Sequence, residues 1–130
     1  MRNGNGKGKE YDSKNRLIFE GEYLKGERNG KGKEYYEDGN LKYEGEYLNG
    51  ERNGKWKVYY SNGIVKFEGE YLKGKRNGKG KEYNCDFGCL EYEGEFLNGE
   101  RNGKGKEYDY NGNIIYEGEY LNGERKILKE

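Results

Sequence analysis

The 130-residue chain contains no His, Pro, Ala, Thr or Gln, and its only serines are Ser13 and Ser61. Without His or Thr, and with neither serine in a special context, no Ser-His-Asp or Cys-His pairing of nucleophile and base can be assembled. Helix formers such as Ala and Leu are absent or scarce, while 24 Gly and 15 Tyr dominate. That composition suits turns and strands. Hydrophobic residues make up 30%, a share that by itself points to disorder, but an aromatic share of 15% supplies rings for a packed surface.

An excess of charge is also missing. The 25 basic and 25 acidic residues are spread evenly along the chain, with no basic block of the kind that nucleic acid or anionic membranes attract. No nucleic-acid partner is therefore expected. No apolar run approaches the ~20 residues of a membrane span, and no signal peptide opens the sequence. The expectation is a cytoplasmic protein, with peripheral membrane attachment as the alternative. Every Glu sits in a similar, repeated setting beside Lys, so no pair of acids is placed in the unlike environments that acid–base catalysis needs. No enzyme activity, cofactor or metal site is expected.

One stretch is repeated instead. "GKGKEYYEDGNLKYEGEY" runs from Gly30 to Tyr47 and has four close copies. Aligned on their Glu-Gly pairs, the copies place Gly21, Gly45, Gly69, Gly94 and Gly118 at spacings of 24, 24, 25 and 24 residues. A period of this size marks a repeat array in which each unit touches mainly its neighbours. The units fall at about 7–23, 30–47, 54–71, 78–96 and 103–120, with 121–130 as a C-terminal cap or tail. Each is too short for a helix pair and alternates with period two, so it reads as a β-hairpin. The fold class is all-β: an elongated single-layer array of five sequential hairpins, an antiparallel meander.

Asp38-Gly39, Asn62-Gly63 and Asn111-Gly112 are the dipeptides favoured in two-residue type I′ turns, and Lys14-Asn15 takes their place in the first unit. Such a turn sets Tyr36 opposite Leu41, Tyr35 opposite Lys42, Glu34 opposite Tyr43, Lys33 opposite Glu44, Gly32 opposite Gly45 and Lys31 opposite Glu46. Charges of opposite sign then pair on one face, which helps to fix the register. The other face carries aromatic rings over a floor of glycines. Between hairpins, "LNGERNG" (Leu48–Gly54) and its copies read as a tight loop.

The motif then becomes recognisable. Glu-Gly-Glu, the Asn-Gly loop, Gly-Lys-Gly and the Asp-Gly turn recur in that order, and the chain resembles the MORN-repeat family. The stretch "GKWKVYYSNGIVKFEGEY" (Gly54–Tyr71) is most similar to the variant MORN repeats of the YwqK-like antitoxin group. The resemblance implies a twisted single-layer sheet with a groove, used mostly in protein–protein scaffolding, with lipid attachment proposed for some members.

The aromatic rows are first of all core. Where such a face stays open it becomes a groove for an extended peptide or a helix, and Tyr and Trp are enriched at such contacts. The candidate partner-binding residues are Tyr23, Tyr43, Tyr47, Trp56, Phe67, Tyr71, Tyr92 and Phe96. Trp56 stands where other units have Gly8, Gly32, Gly80 and Gly105, facing Gly69, and is the expected central anchor. Arg28, Arg52, Arg76 and Arg101 form a regular row that could meet an anionic partner, in a repeat whose neighbouring Glu dilutes that field. Cys85 and Cys89 cannot complete a zinc site alone and are expected as free thiols. A non-enzymatic scaffold leads, with phosphoinositide or membrane attachment and an antitoxin-type inhibitor as alternatives. Open sheet edges add the option of a homodimer.

Overall fold

Alternating small, charged and aromatic residues, with no Ala and little Leu, produce strands throughout the computed structural model, which describes residues 4–127. The strands are β1 Gly6–Tyr11, β2 Leu17–Leu24, β3 Glu27–Tyr35, β4 Leu41–Leu48, β5 Glu51–Tyr59, β6 Val65–Leu72, β7 Lys75–Tyr83, β8 Leu90–Leu97, β9 Glu100–Tyr108, β10 Ile114–Leu121 and β11 Glu124–Arg125. They form one antiparallel sheet in strict sequence order, β1 to β11. The all-β meander expected from the period is the observed fold. No helix among the described residues is long and apolar enough to cross a membrane. Of the expected C-terminal segment 121–130, residues 128–130 lie outside the described residues.

The two kinds of turn exchange places relative to the expectation. Gly39 N–H donates to Tyr36 O, and Tyr36 N–H donates to Asn40 O, so Glu37-Asp38-Gly39 is a three-residue turn. Gly39 alone of these three has positive φ, 92°. The Asp38 carboxylate instead accepts the Asn40 N–H, a local bond that stabilises the turn from its side chain. The two-residue turns with positive φ at both positions lie at the other connections, such as Asn49 (φ 50°) and Gly50 (φ 85°). In the first unit Asn15 supplies the positive φ (64°) that Gly39 supplies in the second, as the sequence implied.

Tyr35 therefore pairs with Leu41 rather than with Lys42, and an irregularity between Glu34 and Tyr35 absorbs the extra residue. Beyond it the expected pairs hold: Glu34 with Tyr43, Lys33 with Glu44, Gly32 with Gly45 and Lys31 with Glu46. The "ERNG" segment is strand rather than loop. It contains a bulge at which Gly30, Gly54, Gly78 and Gly103 take positive φ between 91° and 100°. The N–H groups of Lys31, Lys79 and Lys104 that follow the bulge are capped by the carboxylates of Glu22, Glu70 and Glu95. In the fourth unit the longer turn closes between Asn84 and Cys89, so the two cysteines do not face each other across the hairpin. Both are free thiols, Cys85 exposed and Cys89 half-buried.

Candidate functional site

The strand alternation gives the sheet two unlike faces. On the first, each hairpin seats one ring on its glycines, because only a residue without a side chain leaves room. A Cβ at Gly69 would lie 2.6 Å from Gly80 Cα and 2.8 Å from Phe67 Cζ. Phe19, Phe67 and Tyr92, each 0% exposed, fill such seats. Edge-to-face contacts link neighbouring rings, as in Phe19–Tyr47 at 5.5 Å, Phe67–Phe96 at 5.2 Å and Tyr92–Tyr120 at 5.1 Å. Such pairs contribute about 0.5–1.5 kcal/mol each beyond the area they bury.

Trp56 pairs with Gly45 on one side and with Gly69 on the other. Its indole lies over Gly45, not Gly69: a Cβ built at Gly45 would meet Trp56 Cγ at 2.6 Å. The indole Nε1–H donates to Glu46 O at 2.7 Å, and the residue is 2% exposed. Of the other candidate residues, Tyr47, Phe67, Tyr71, Tyr92 and Phe96 are buried, while Tyr23 and Tyr43 are half-buried against them. The aromatic strip is closed rather than open.

What closes it is the arginine row, which the sequence places in tight loops. Arg28 stacks over Phe19 at 4.0 Å, Arg52 over Tyr43 at 3.7 Å, Arg76 over Phe67 at 4.0 Å, Arg101 over Tyr92 at 4.4 Å and Arg125 over Tyr116 at 4.9 Å. Four of them are anchored by a carboxylate one hairpin back: Arg28 by Glu10, Arg52 by Glu34, Arg101 by Glu82 and Arg125 by Glu107. The phenols of Tyr23, Tyr47 and Tyr120 donate to three of the same acids, Glu10, Glu34 and Glu107. The signal is present in the sequence as a recurring spacing of 18 or 19 residues between Glu and Arg.

The hydrogen bonds from Arg125, joined by that from Tyr120 and opposed by burial, hold the Glu107 carboxyl at about 2, against an ordinary value of 4.5. Arg28 lowers Glu10 in the same way. Burial, and then the hydrogen bond to Glu10, pushes the Tyr23 phenol up to about 12. A depressed carboxyl stabilises the fold fully above its unfolded value, and that contribution is lost as pH falls toward the folded value. Urea titrations should therefore show stability falling between about pH 4.5 and pH 2, with a shallower fall in Glu107→Gln. An unchanged slope in that variant would overturn the assignment.

The second face is open. It carries two ladders in which Lys and Glu alternate from strand to strand, Lys31–Glu46 and Lys33–Glu44 in one hairpin, Lys55–Glu70 and Lys57–Glu68 in the next. Among the described residues of β1–β10, Lys106–Glu117 is the one ladder pair that closes, at 3.9 Å. Most of the acids are engaged elsewhere. Glu20, Glu44, Glu68 and Glu93 accept from the phenols of Tyr35, Tyr59, Tyr83 and Tyr108, while Glu22, Glu70 and Glu95 cap the bulges. Between the ladders the glycine backbone forms a floor. The result is a trough with one section of about 1220 Å³ over β5–β10 and another of about 900 Å³ over β1–β5, meeting at Glu44 and Lys55. Leu24, Leu48, Leu72, Leu97 and Leu121, between 46% and 53% exposed, continue the same face toward the two-residue turns.

This geometry is that of an open array of β-hairpin repeats, and comparison with known families agrees. The MORN repeat model matches residues 19–41, 67–88, 92–114 and 116–126, and the MORN repeat variant model matches residues 52–73. The chain belongs to the MORN-repeat family. A comparison with curated proteins finds no match.

Proposed function

We propose that the chain is a non-enzymatic scaffold that binds a protein partner along the ladder face, with the trough and its leucine rim as the docking surface. The observation that supports this most is the row of half-exposed leucines beside an open trough. One leucine stands on every second strand, which spaces them about 10 Å apart. An extended or helical segment lying across the strands would meet an apolar contact at each hairpin and polar groups between them. One trough section, about 1220 Å³, exceeds the ~300–1000 Å³ of ordinary small-molecule sites and the other, about 900 Å³, lies near the top of that range; since the two meet, the continuous trough favours a polypeptide occupant. The rings on the other face contribute by holding the sheet rigid, so little ordering entropy is lost on docking.

The test is affinity capture from the native lysate with the wild-type chain and with Leu48→Asp/Leu72→Asp, whose altered side chains are exposed and leave the core untouched. Partner capture should fall at least tenfold in the variant while its circular dichroism stays unchanged. Undiminished capture would remove the leucine rim from the interface. Sedimentation with anionic vesicles that depends on the same leucines would replace the protein partner with a membrane.

A further inference from the structure

The third hairpin breaks the Glu–Arg–Tyr arrangement at one position. Where the other units carry Glu10, Glu34, Glu82 and Glu107, it carries Val58, 5% exposed. Two groups that should meet a carboxylate there are left without one. Tyr71 is the counterpart of Tyr47 and Tyr120, both of which donate to that acid. Arg76 is the counterpart of Arg52 and Arg125, which present Nε and Nη2 to it together. Among the described residues, Arg76 has one ion pair, a 3.8 Å contact from Nη1 to Glu82. The other oxygen of Glu82 already accepts from Arg101 at 2.9 Å. Among the described residues nothing pairs with the Nε–Nη2 edge of Arg76, yet its guanidinium lies over Phe67 at 4.0 Å, as close as Arg28 lies over Phe19.

A second change in the same unit removes a negative charge from the neighbourhood: Lys75 stands where Glu27, Glu51, Glu100 and Glu124 stand, paired with Leu72 on the opposite face from Arg76. The position is also within reach of solvent. The side chain of Arg76 is 20% exposed, and the acids at the equivalent place are 18% to 37% exposed. A planar guanidinium edge beside a phenol matches a carboxylate in two-point geometry.

We infer that Arg76 and Tyr71 form a carboxylate-binding site on the arginine-capped face, which takes an acidic side chain of a polypeptide in the place of the missing glutamate. The site lies on the face opposite the trough, so neither it nor its occupant rests on the ladder-face interface proposed above. On this reading the array reserves one hairpin, the central one, for an acidic anchor, and closes the others with its own acids.

Arginine Hε resonances of the intact chain report on the site directly. Sodium acetate, titrated against sodium chloride at equal ionic strength, should shift the Arg76 Hε signal saturably. Those of Arg28, Arg52 and Arg101, already bound to carboxylates, should stay in place. Val58→Glu, which restores the internal acid, should move Arg76 Hε to the position of Arg52 and abolish the acetate response, and Tyr71→Phe should weaken it. An Arg76 signal that ignores acetate, or responds equally in Val58→Glu, overturns the site. A blocked hepta-glutamate peptide should then bind the wild type about tenfold or more tightly than it binds Val58→Glu, and a hepta-glutamine peptide should not bind. Equal peptide binding by both proteins would overturn the acidic occupant. Capture that depends on Leu48 and Leu72 judges the scaffold reading separately.

Discussion

Gly69→Val is expected to cost more than about 3 kcal/mol and to split the array between β6 and β7. Core overpacking ordinarily costs about 1–3 kcal/mol, because side chains can shift to make room. At Gly69 the obstacles are backbone: a Cβ would sit 2.6 Å from both Gly80 Cα and Lys79 O, and 2.8 Å from Phe67 Cζ. Gly69 and Gly80 are direct partners in the ladder, so relief requires the two strands to part. In a repeat array stability is roughly a sum over units and their interfaces, and losing one central interface uncouples the halves. Gly80→Val should be milder by about 1 kcal/mol or more, because its Cβ would meet ring atoms of Phe67 and Phe96 that can rotate. The chain itself illustrates the difference. The one unit that replaces a floor glycine does so at Trp56, on the Gly80 type of position, while Gly21, Gly45, Gly69, Gly94 and Gly118 are all kept. Equal losses for the two valine variants in denaturant titrations would refute this account.

The period and the antiparallel order were legible in the sequence because they depend on pattern alone. So was the register of Lys33 with Glu44, since a slip by one residue would set like faces against unlike ones. The turn type was not legible, because an Asp-Gly pair serves a two-residue turn and the end of a three-residue turn equally well. The error stayed local because the irregularity beside Tyr35 takes up the extra residue and returns the outer pairs to the expected register. Exposure of the aromatic strip was misjudged for a different reason. Arg52 belongs to an apparent loop beside Glu51, and only strand pairing shows that it lies over Tyr43 with Glu34 as its anchor. A contact between residues 18 apart follows from two turns and a bulge together, so it cannot be read from any one segment.

Phe67→Ala should cost about 3–5 kcal/mol, whereas Trp56→Gly should cost only about 1–2 kcal/mol, although the indole is the larger group and is almost as buried. Phe67 is 0% exposed, and it is enclosed on every side. Gly69 and Gly80 lie beneath it, Arg76 lies above at 4.0 Å, and Tyr71 and Phe96 meet its ring at 5.8 Å and 5.2 Å. No neighbour is placed to fill the space its ring would leave, so the full cavity penalty applies. Around Trp56 one neighbour is. Tyr43 occupies the position in its hairpin that Phe19, Phe67 and Tyr92 occupy in theirs, yet it is only half-buried, because the indole has taken the seat over Gly45. The two rings already touch edge to face, with centroids 6.3 Å apart. With glycine at position 56 the seat becomes like its counterparts, and a χ1 rotation lets Tyr43 drop into it, carrying Arg52 with it. The residual cost is the lost Nε1–H bond to Glu46 O and the smaller area of phenol than of indole. Urea titrations of the two variants decide the matter: a Trp56→Gly loss as large as that of Phe67→Ala would mean that Tyr43 cannot take the vacated seat.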